Sequence, residues 1–203
     1  MNTLSSYLLG QLRRKDLPQG LFRYHAHQLA LCMAQQAAEH QSTKSISIQT
    51  PIGTAPGITF EKRIVLVSIL RSGLVLLPAF VEYFPDAGIG CVGMRRDEKT
   101  AIAKLYYQNI PKLTGAEQII MLDPMIATGG SSIATLKILK DLGINPNAVL
   151  FVAIIAAQEG VDAVKQAFPG ITILVTAIDK ELNKDKFIVP GLGDFGDRYF
   201  GTL

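Results

Sequence analysis

Apolar residues follow two alternating patterns from residue 64 onwards. Short, nearly continuous apolar runs are typical of buried strands, and the chain contains five of them: Ile64–Leu70, Ile89–Met94, Ile119–Leu122, Ala148–Ala156 and Ile171–Ile178. Segments between these runs have apolar residues at every third or fourth position, which predicts helices over Leu74–Phe84, Gly130–Leu142 and Gly160–Phe168. Strands that alternate with helices predict an α/β fold with a doubly wound, mostly parallel sheet.

The first 60 residues follow different patterns. Apolar spacings of three and four predict a helix over Leu21–His40, so we expect an N-terminal helical segment. The segment Lys44–Phe60 alternates polar and apolar residues and then contains prolines and glycines. Because proline is excluded from central strands, this segment is predicted to be an edge strand or a hairpin arm, which often pairs with another subunit. We find no linker or internal repeat, and residues 1–203 are interpreted as a single domain.

Composition narrows the function classes. With 48% hydrophobic residues the chain can bury a sizeable core, and its net charge of +3 is too small to indicate a nucleic-acid-binding protein. Cys32 and Cys91 lack metal-ligand spacing and favour a reduced compartment. No apolar run reaches the roughly 18 residues of a membrane span, and the N-terminus does not resemble a signal peptide. A cytoplasmic protein that contacts neither membrane nor nucleic acid is therefore expected.

The stretch Ile119–Ser132 predicts a phosphate-binding loop. A strand runs into Asp123, and the short loop after it ends in two glycines and two serines at the start of a helix. The free N–H groups and the positive dipole end of a helix start suit a phosphate, and glycines let the backbone approach it closely. Ser131 and Ser132 are expected to cap the helix.

Arginines follow two of the predicted strands. Arg71 comes directly after Ile64–Leu70, at the strand end where ligands bind in open α/β sheets. The charged run Arg95–Lys99 follows Ile89–Met94, and both a solvated loop and an anion site are compatible with it. A flexible hairpin is expected over Thr100–Ile110.

The C-terminal tail, Pro190–Thr202, is rich in glycine and also contains Phe195, Tyr199 and Phe200. Its glycines match the spacing of a dinucleotide-binding motif, but too few residues follow them for the helix and strand that this motif requires. A disordered tail would have little reason to contain aromatic residues. We therefore expect a folded loop that offers backbone N–H and C=O groups to a flat polar ligand.

Four blocks of sequence together resemble the uracil phosphoribosyltransferase family, in that family's order and spacing. The blocks are Ile69–Gly73, Val92–Glu98, Asp123–Ser131 and Pro190–Thr202. The resemblance implies a type I phosphoribosyltransferase fold with a C-terminal hood over the base. It also implies the transfer of the phosphoribosyl group from 5-phospho-α-D-ribose 1-diphosphate (PRPP) to uracil, which gives UMP and pyrophosphate in pyrimidine salvage.

The resemblance further implies a cofactor and partners. Mg²⁺ is expected, held mainly by PRPP and water rather than by protein ligands. A homo-oligomer, dimer or tetramer, is expected, and GTP is a candidate effector because some members of the family respond to it. Two alternatives stay open: a nucleotide or PRPP sensor with a regulatory role, and transfer to a base other than uracil.

Site residues follow from the positions that match the family's motifs. Catalysis is expected to involve Asp123, Arg96 and Asp194. The expected PRPP-binding residues are Arg71, Arg96, Asp123, Pro124, Met125, Ile126, Ala127, Thr128, Gly129, Gly130, Ser131 and Asp194. A smaller set near the tail is expected to bind uracil, largely through backbone groups: Ile188, Gly193, Asp194 and Phe195.

Two positions depart from the family's usual residues, which are alanine at the position of Phe195 and tyrosine at that of Arg95. If the Phe195 ring pointed into the site, the base pocket would be smaller. Base specificity therefore depends on where this ring lies, whereas the transfer chemistry does not.

Overall fold

The five predicted strands lie in one sheet in the computed structural model of the chain, which describes residues 3–96 and 103–202. In chain order the elements are α1 (Thr3–Arg13), α2 (Gln19–Glu39), β1 (Thr43–Thr50), β2 (Gly53–Phe60), β3 (Ile64–Leu70), α3 (Leu77–Tyr83), β4 (Gly88–Arg96), β5 (Ala103–Asn109), β6 (Gln118–Leu122), β7 (Met125–Ile126), α4 (Gly130–Asp141), β8 (Val149–Ala157), α5 (Gln158–Ala167), β9 (Thr172–Asp179), β10 (Glu181–Leu182), β11 (Ile188–Val189) and α6 (Phe195–Phe200). Short 3₁₀ turns precede α3 and β8.

The main sheet has the spatial order β5, β4, β3, β6, β8, β9, and all its neighbouring pairs are parallel except β4 with β5. From β3 the chain passes to β4 on one side and later to β6 on the other. Ligands of doubly wound sheets bind outside the carboxyl ends of the strands at such a switch point. The expected fold class is confirmed, and the topology places a site beyond β3 and β6.

Strands β6 and β7 form one line along β8 that is interrupted at two residues. Leu122 pairs with Val152 and Met125 pairs with Ile155, so the register is the same on both sides of the interruption. The two residues between them are Asp123 and Pro124. A proline has no N–H to donate to the ladder, which accounts for the break.

Helices cover both faces of the sheet, as expected for parallel strands. On one face, Leu66, Ile120 and Val152 belong to a core with residues of α1, α2, α3 and α6. On the other face, Val67 and Met121 belong to a second core with residues of α4 and α5. The near-continuous apolar runs in the sequence reflect this burial on both faces.

The four predicted helices differ in their bounds from the observed ones, and α2 and α4 do so by at most two residues at either end. The segment Leu74–Phe84 divides into a 3₁₀ turn, Ser72–Val75, and α3, because Pro78 suits a new helix start and not a helix interior. The last predicted helix begins earlier than Gly160, at Gln158. The predicted hairpin over Thr100–Ile110 is represented by β5, which pairs antiparallel with β4, and residues 97–102 lie outside the described residues.

The segment Lys44–Phe60 forms a hairpin, β1 with β2, that is separate from the main sheet. Its apolar side chains are exposed, including Ile46 at 37%, Ile58 at 70% and Ile52 at 99%. The predicted arm is thus confirmed as a structural element. Of the helices in the described part of the chain, none is long and apolar enough to cross a membrane.

Candidate active site

A cavity of about 310 Å³ lies at the switch point of the sheet. It is lined by Leu70 and Ser72 after β3, by residues of the predicted phosphate loop, and by two segments of the C-terminal region. The loop contributes Asp123 and Ser131 among others, and the tail contributes Asp194. Four segments from three distant regions of the sequence therefore meet around one space.

The backbone at the strand break remains hydrogen-bonded to the sheet. The N–H of Asp123 donates to the carbonyl of Val152 at 3.2 Å, and the carbonyl of Pro124 accepts from the N–H groups of Ile154 and Ile155 at 3.0 and 3.1 Å. The break is therefore a fixed part of the sheet and not a loose loop. It holds the Asp123 side chain at the cavity.

Asp123 has an unusual protonation equilibrium. Burial of the carboxyl group raises its pKa to about 7, while a hydrogen bond from the Met125 N–H acts in the opposite direction. At neutral pH the group is thus poised between its charged and neutral forms. A perturbed carboxyl group in a cavity is a frequent property of catalytic residues.

The phosphate loop ends at Gly129, which is the N-cap of α4 and has a φ of +77°. Gly129 has no side chain to cap the helix, and the Gly130 N–H donates instead to the Thr128 hydroxyl at 3.5 Å, so the prediction that Ser131 and Ser132 cap it is wrong. Ser131 instead lines the cavity and Ser132 is buried. The N–H of Ile133 makes the first bond back to Gly129, at 2.9 Å. The preceding N–H groups therefore lie where a helix start binds an anion.

Glycine residues hold this loop against the start of α5. A Cβ atom on Gly160 would lie 2.1 Å from the carbonyl oxygen of Ala127, and one on Gly129 would lie 2.9 Å from the carbonyl oxygen of Gly160. Real Cβ atoms do not approach backbone so closely. Sequence reasoning missed the role of Gly160, although a glycine in the first turn of a predicted helix indicates a close backbone contact.

Of the two predicted pyrophosphate-binding arginines, Arg71 lies at the edge of the site. Arg71 is exposed, follows a cis peptide bond after Leu70, and places its guanidinium 5.1 Å from the centre of the Phe200 ring. With Arg95 and Tyr106 it lines a second cavity of about 650 Å³ that shares Leu70 with the first. Arg96 is the last residue of β4, and its side chain lies outside the described part of the structure.

The tail forms helix α6, which the sequence interpretation treated only as a folded loop. Asp194 is its N-cap, and the Asp194 carboxylate accepts a hydrogen bond from the Asp197 N–H at 2.8 Å. Phe195 is completely buried, and its ring lies 5.1 Å from that of Phe22 in the core. The Phe195 ring therefore points away from the cavity, which Asp194 and Gly196 line instead.

Ile188 and Gly193 are not among the residues that line the switch-point cavity. Ile188 is buried in the core, and Gly193 borders a neighbouring groove of about 380 Å³ together with Arg13 and Arg198. Asp194 lines both spaces. Of the four expected uracil-binding residues, only Asp194 thus reaches the cavity in the described structure.

The turn between β10 and β11 also lines the cavity and was missed from the sequence. It contributes Asp185, Lys186 and Phe187. The side-chain oxygen of Asn183 accepts from the N–H groups of Asp185 and Phe187 at 3.0 and 2.9 Å, and Lys186 has a φ of +65°. An asparagine that accepts from the following backbone is a turn signal that could have located this hairpin.

Carboxylates are the protein groups in the cavity that suit a hard cation. Asp123, Asp185 and Asp194 line the same space, and Mg²⁺ prefers carboxylate and phosphate oxygens. Across residues 3–96 and 103–202, no group of three His, Cys, Asp or Glu side chains is arranged to hold a metal ion. The donors fit a cation that is bound jointly with a substrate.

Comparison with known proteins gives a consistent result. The family model described as uracil phosphoribosyltransferase matches residues 2–202. A uracil phosphoribosyltransferase of Dictyoglomus turgidum is 38% identical over 98% of this chain and 96% of its own length. A uracil phosphoribosyltransferase of Enterococcus faecalis is 36% identical over 98% of this chain and 95% of its own length.

Solved structures agree with the fold. A protein of Aquifex aeolicus superposes with a TM-score of 0.91 at 30% identity, over 98% of this chain and 95% of the other. An APRTase of Giardia lamblia shares the fold with a TM-score of 0.53 at 11% identity, over 75% of this chain and 81% of that one.

Proposed function

The chain belongs to the uracil phosphoribosyltransferase family, and on that premise we propose that it transfers the 5-phosphoribosyl group of PRPP to uracil. In this reaction the bond between the ribose C1 and the diphosphate oxygen breaks, and a bond from C1 to N1 of uracil forms. The N1 proton is released. The products are UMP and pyrophosphate, which places the protein in pyrimidine salvage.

The observation that carries the proposal is that a phosphate loop, an acid and the tail line one cavity at the switch point. The loop from Ala127 to Ser131 would bind the ribose 5-phosphate through N–H groups at the start of α4. Asp123 would accept hydrogen bonds from the ribose hydroxyls and stabilise the positive charge that develops at C1. Its fixed backbone supports this role, because electrostatic stabilisation requires groups that are already in position.

The leaving diphosphate gains negative charge as the C1 bond breaks, and guanidinium groups suit it. Arg71 and Arg96 are proposed to bind this group beside the switch-point cavity, where Arg71 lines the adjoining space. Mg²⁺ would be bound mainly by PRPP and water, and Asp123, Asp185 and Asp194 are the carboxylates that line the same cavity. When bound, the metal ion would neutralise charge on the diphosphate.

Uracil is proposed to lie between the phosphate loop and the C-terminal region. Backbone groups of Ile188, Gly193, Asp194 and Phe195 would bind its polar edge, and the burial of the Phe195 ring supports a role through backbone alone. Because the ring does not enter the cavity, phenylalanine in place of the family's usual alanine leaves room for the base.

An assay with each free base tests the reaction. Purified protein is incubated with PRPP, Mg²⁺ and one base at a time, and nucleoside monophosphate is measured. UMP from uracil, and its loss in Asp123→Asn, are expected. A purine nucleotide would show transfer to another base, and the absence of any product with intact PRPP binding would favour a sensor. The same assay with added GTP tests the proposed effector.

A further inference from the structure

The end of α1 is joined to the C-terminal tail by an ion pair between Arg13 and Asp179. Asp179, the last residue of β9, is largely buried, with 8% of its surface exposed. The two terminal nitrogens of Arg13 donate to its two oxygens, Nη1 to Oδ2 at 2.8 Å and Nη2 to Oδ1 at 2.7 Å. An ion pair with two parallel hydrogen bonds restricts both the position and the orientation of the guanidinium relative to the carboxylate. The guanidinium also holds the pKa of Asp179 below its usual range.

The same ion pair binds both backbone groups of Gly191. The Gly191 N–H donates to Asp179 Oδ2 at 2.8 Å, and the Gly191 carbonyl accepts from Arg13 Nη1 at 2.8 Å. Gly191 has a φ of +61°, and a Cβ atom there would lie 2.0 Å from the carbonyl oxygen of Ile188. Arg13 and Asp179 therefore fix the turn that leads into Gly193 and Asp194.

A second arginine makes a parallel connection from the tail side. Arg198 of α6 donates Nη1 to the carbonyls of Leu12 and Leu192, both at 2.6 Å, and Nη2 to the carbonyl of Arg14 at 2.5 Å. Its guanidinium also lies 4.3 Å from the centre of the Phe22 ring. The Leu12 carbonyl in the last turn of α1 and the Arg14 carbonyl just after it thus bind the tail.

We propose that Arg13 is a positioning residue for nucleobase binding, acting through Asp179 and Gly191. Arg13 does not line the switch-point cavity; it borders the neighbouring groove, which Asp194 shares with that cavity. Its effect reaches the base through the tail backbone, whereas the phosphate loop is held by other contacts, with β8 and with Gly160 at the start of α5. This inference rests on the proposed function, since it assigns the tail to uracil.

The experiment compares Arg13→Gln with Arg14→Gln. Arg14 is a matched control because its exposed side chain pairs only with exposed Asp16 in the described structure, and its carbonyl is kept. For Arg13→Gln we expect the KM for uracil to rise at least about tenfold, as for loss of a charge-assisted pair, with the PRPP dissociation constant changed less than about twofold. Arg13→Lys keeps the positive charge but cannot donate two parallel hydrogen bonds to a carboxylate. It should therefore restore part of the uracil affinity.

Amide hydrogen exchange in the tail gives a readout that does not require activity. Exchange in a peptide over residues 188–194 should accelerate in Arg13→Gln and stay unchanged in Arg14→Gln. Equal loss of uracil and PRPP binding, or unchanged uracil KM with unchanged exchange, would overturn the proposal. If the wild-type protein makes no UMP, the proposed function fails, while faster exchange in Arg13→Gln would still show the anchoring of the tail.

Discussion

The carboxyl group of Asp123 lowers the stability of the folded chain when it is ionised. Its pKa rises from 3.8 to about 7 on folding, so the folded state binds more protons than the unfolded state between these values. The free energy of unfolding therefore falls as the pH rises from about 4 to about 7, because over this range the carboxyl group ionises in the unfolded chain while the buried group keeps its proton. The carboxylate that lowers the free energy of unfolding is thus the one that we propose acts in the sugar transfer.

Replacing Asp123 with asparagine is expected to remove this pH dependence. The gain in free energy of unfolding over the wild type should grow between pH 4 and pH 8, by on the order of 3 kcal/mol. Urea unfolding of both proteins at several pH values, without substrates, measures it. Parallel stability curves for the two proteins would contradict the raised pKa, and near-wild-type turnover of the variant would contradict the catalytic role.

Some individual residues of the site could be located from the sequence, and others could not. Asp123 and the phosphate loop were recognisable because an acid and glycines follow a buried strand directly. The protonation state of Asp123 could not be predicted from the sequence, because it depends on burial by segments that are distant in the chain. The turn with Lys186 was also missed, since its two short strands carry too few residues for a periodic pattern.

Among the elements, the contact between the phosphate loop and α5 is the one most sensitive to an added methyl group. Gly160→Ala would place a Cβ atom 2.1 Å from the Ala127 carbonyl oxygen, so the loop or the helix must move. We expect the free energy of unfolding to fall by about 2 kcal/mol and the KM for PRPP to rise at least about tenfold. Chemical denaturation and steady-state kinetics provide the two measurements.

Gly10→Ala is the control for this substitution. Gly10 lies in α1, and an added Cβ atom would have no neighbour within 4 Å. The better helix propensity of alanine should raise the free energy of unfolding by about 0.5–1 kcal/mol, with the KM for PRPP unchanged. A similar response of both variants would show that the close contact at Gly160 is not what positions the loop.

The order of strands and helices between residues 64 and 178 was predictable because burial on both sheet faces leaves continuous apolar runs. Two elements were harder to predict from the sequence. Helix α3 is separated from the preceding 3₁₀ turn at Pro78, which the apolar spacing alone does not show. Helix α6 has only six residues, and its formation depends on its Asp194 cap and on the packing of Phe195 in the core.

At the scale of the whole molecule, the arm formed by β1 and β2 leaves large apolar side chains exposed, among them Ile46 and Ile58. Ile46 and Ile58 lie on opposite faces of the hairpin, by the alternation of side chains along its paired strands. Exposed apolar residues on a two-stranded arm favour association with a second copy. A homo-oligomer therefore remains our proposal for the assembled state.

A double variant, Ile46→Lys with Ile58→Lys, tests this assembly. Buried lysine side chains at an apolar interface are costly, so we expect the wild type to sediment as a dimer or larger species and the variant to sediment as a monomer. Gln35→Lys, at an exposed position of α2, adds a charge elsewhere and should keep the wild-type state. A wild-type monomer at assay concentration would refute the proposal.

The break in the strand at Asp123 and Pro124 has a consequence for how this family can diversify. Because sheet register positions Asp123, substitutions in the tail at positions other than Asp194 leave this acid and the phosphate loop in place. A lineage can therefore explore new base preferences by drift in its C-terminal segment while it keeps its ribose chemistry. For the same reason, a library randomised in that segment with Asp194 kept is the rational starting point for engineering transfer to unnatural bases.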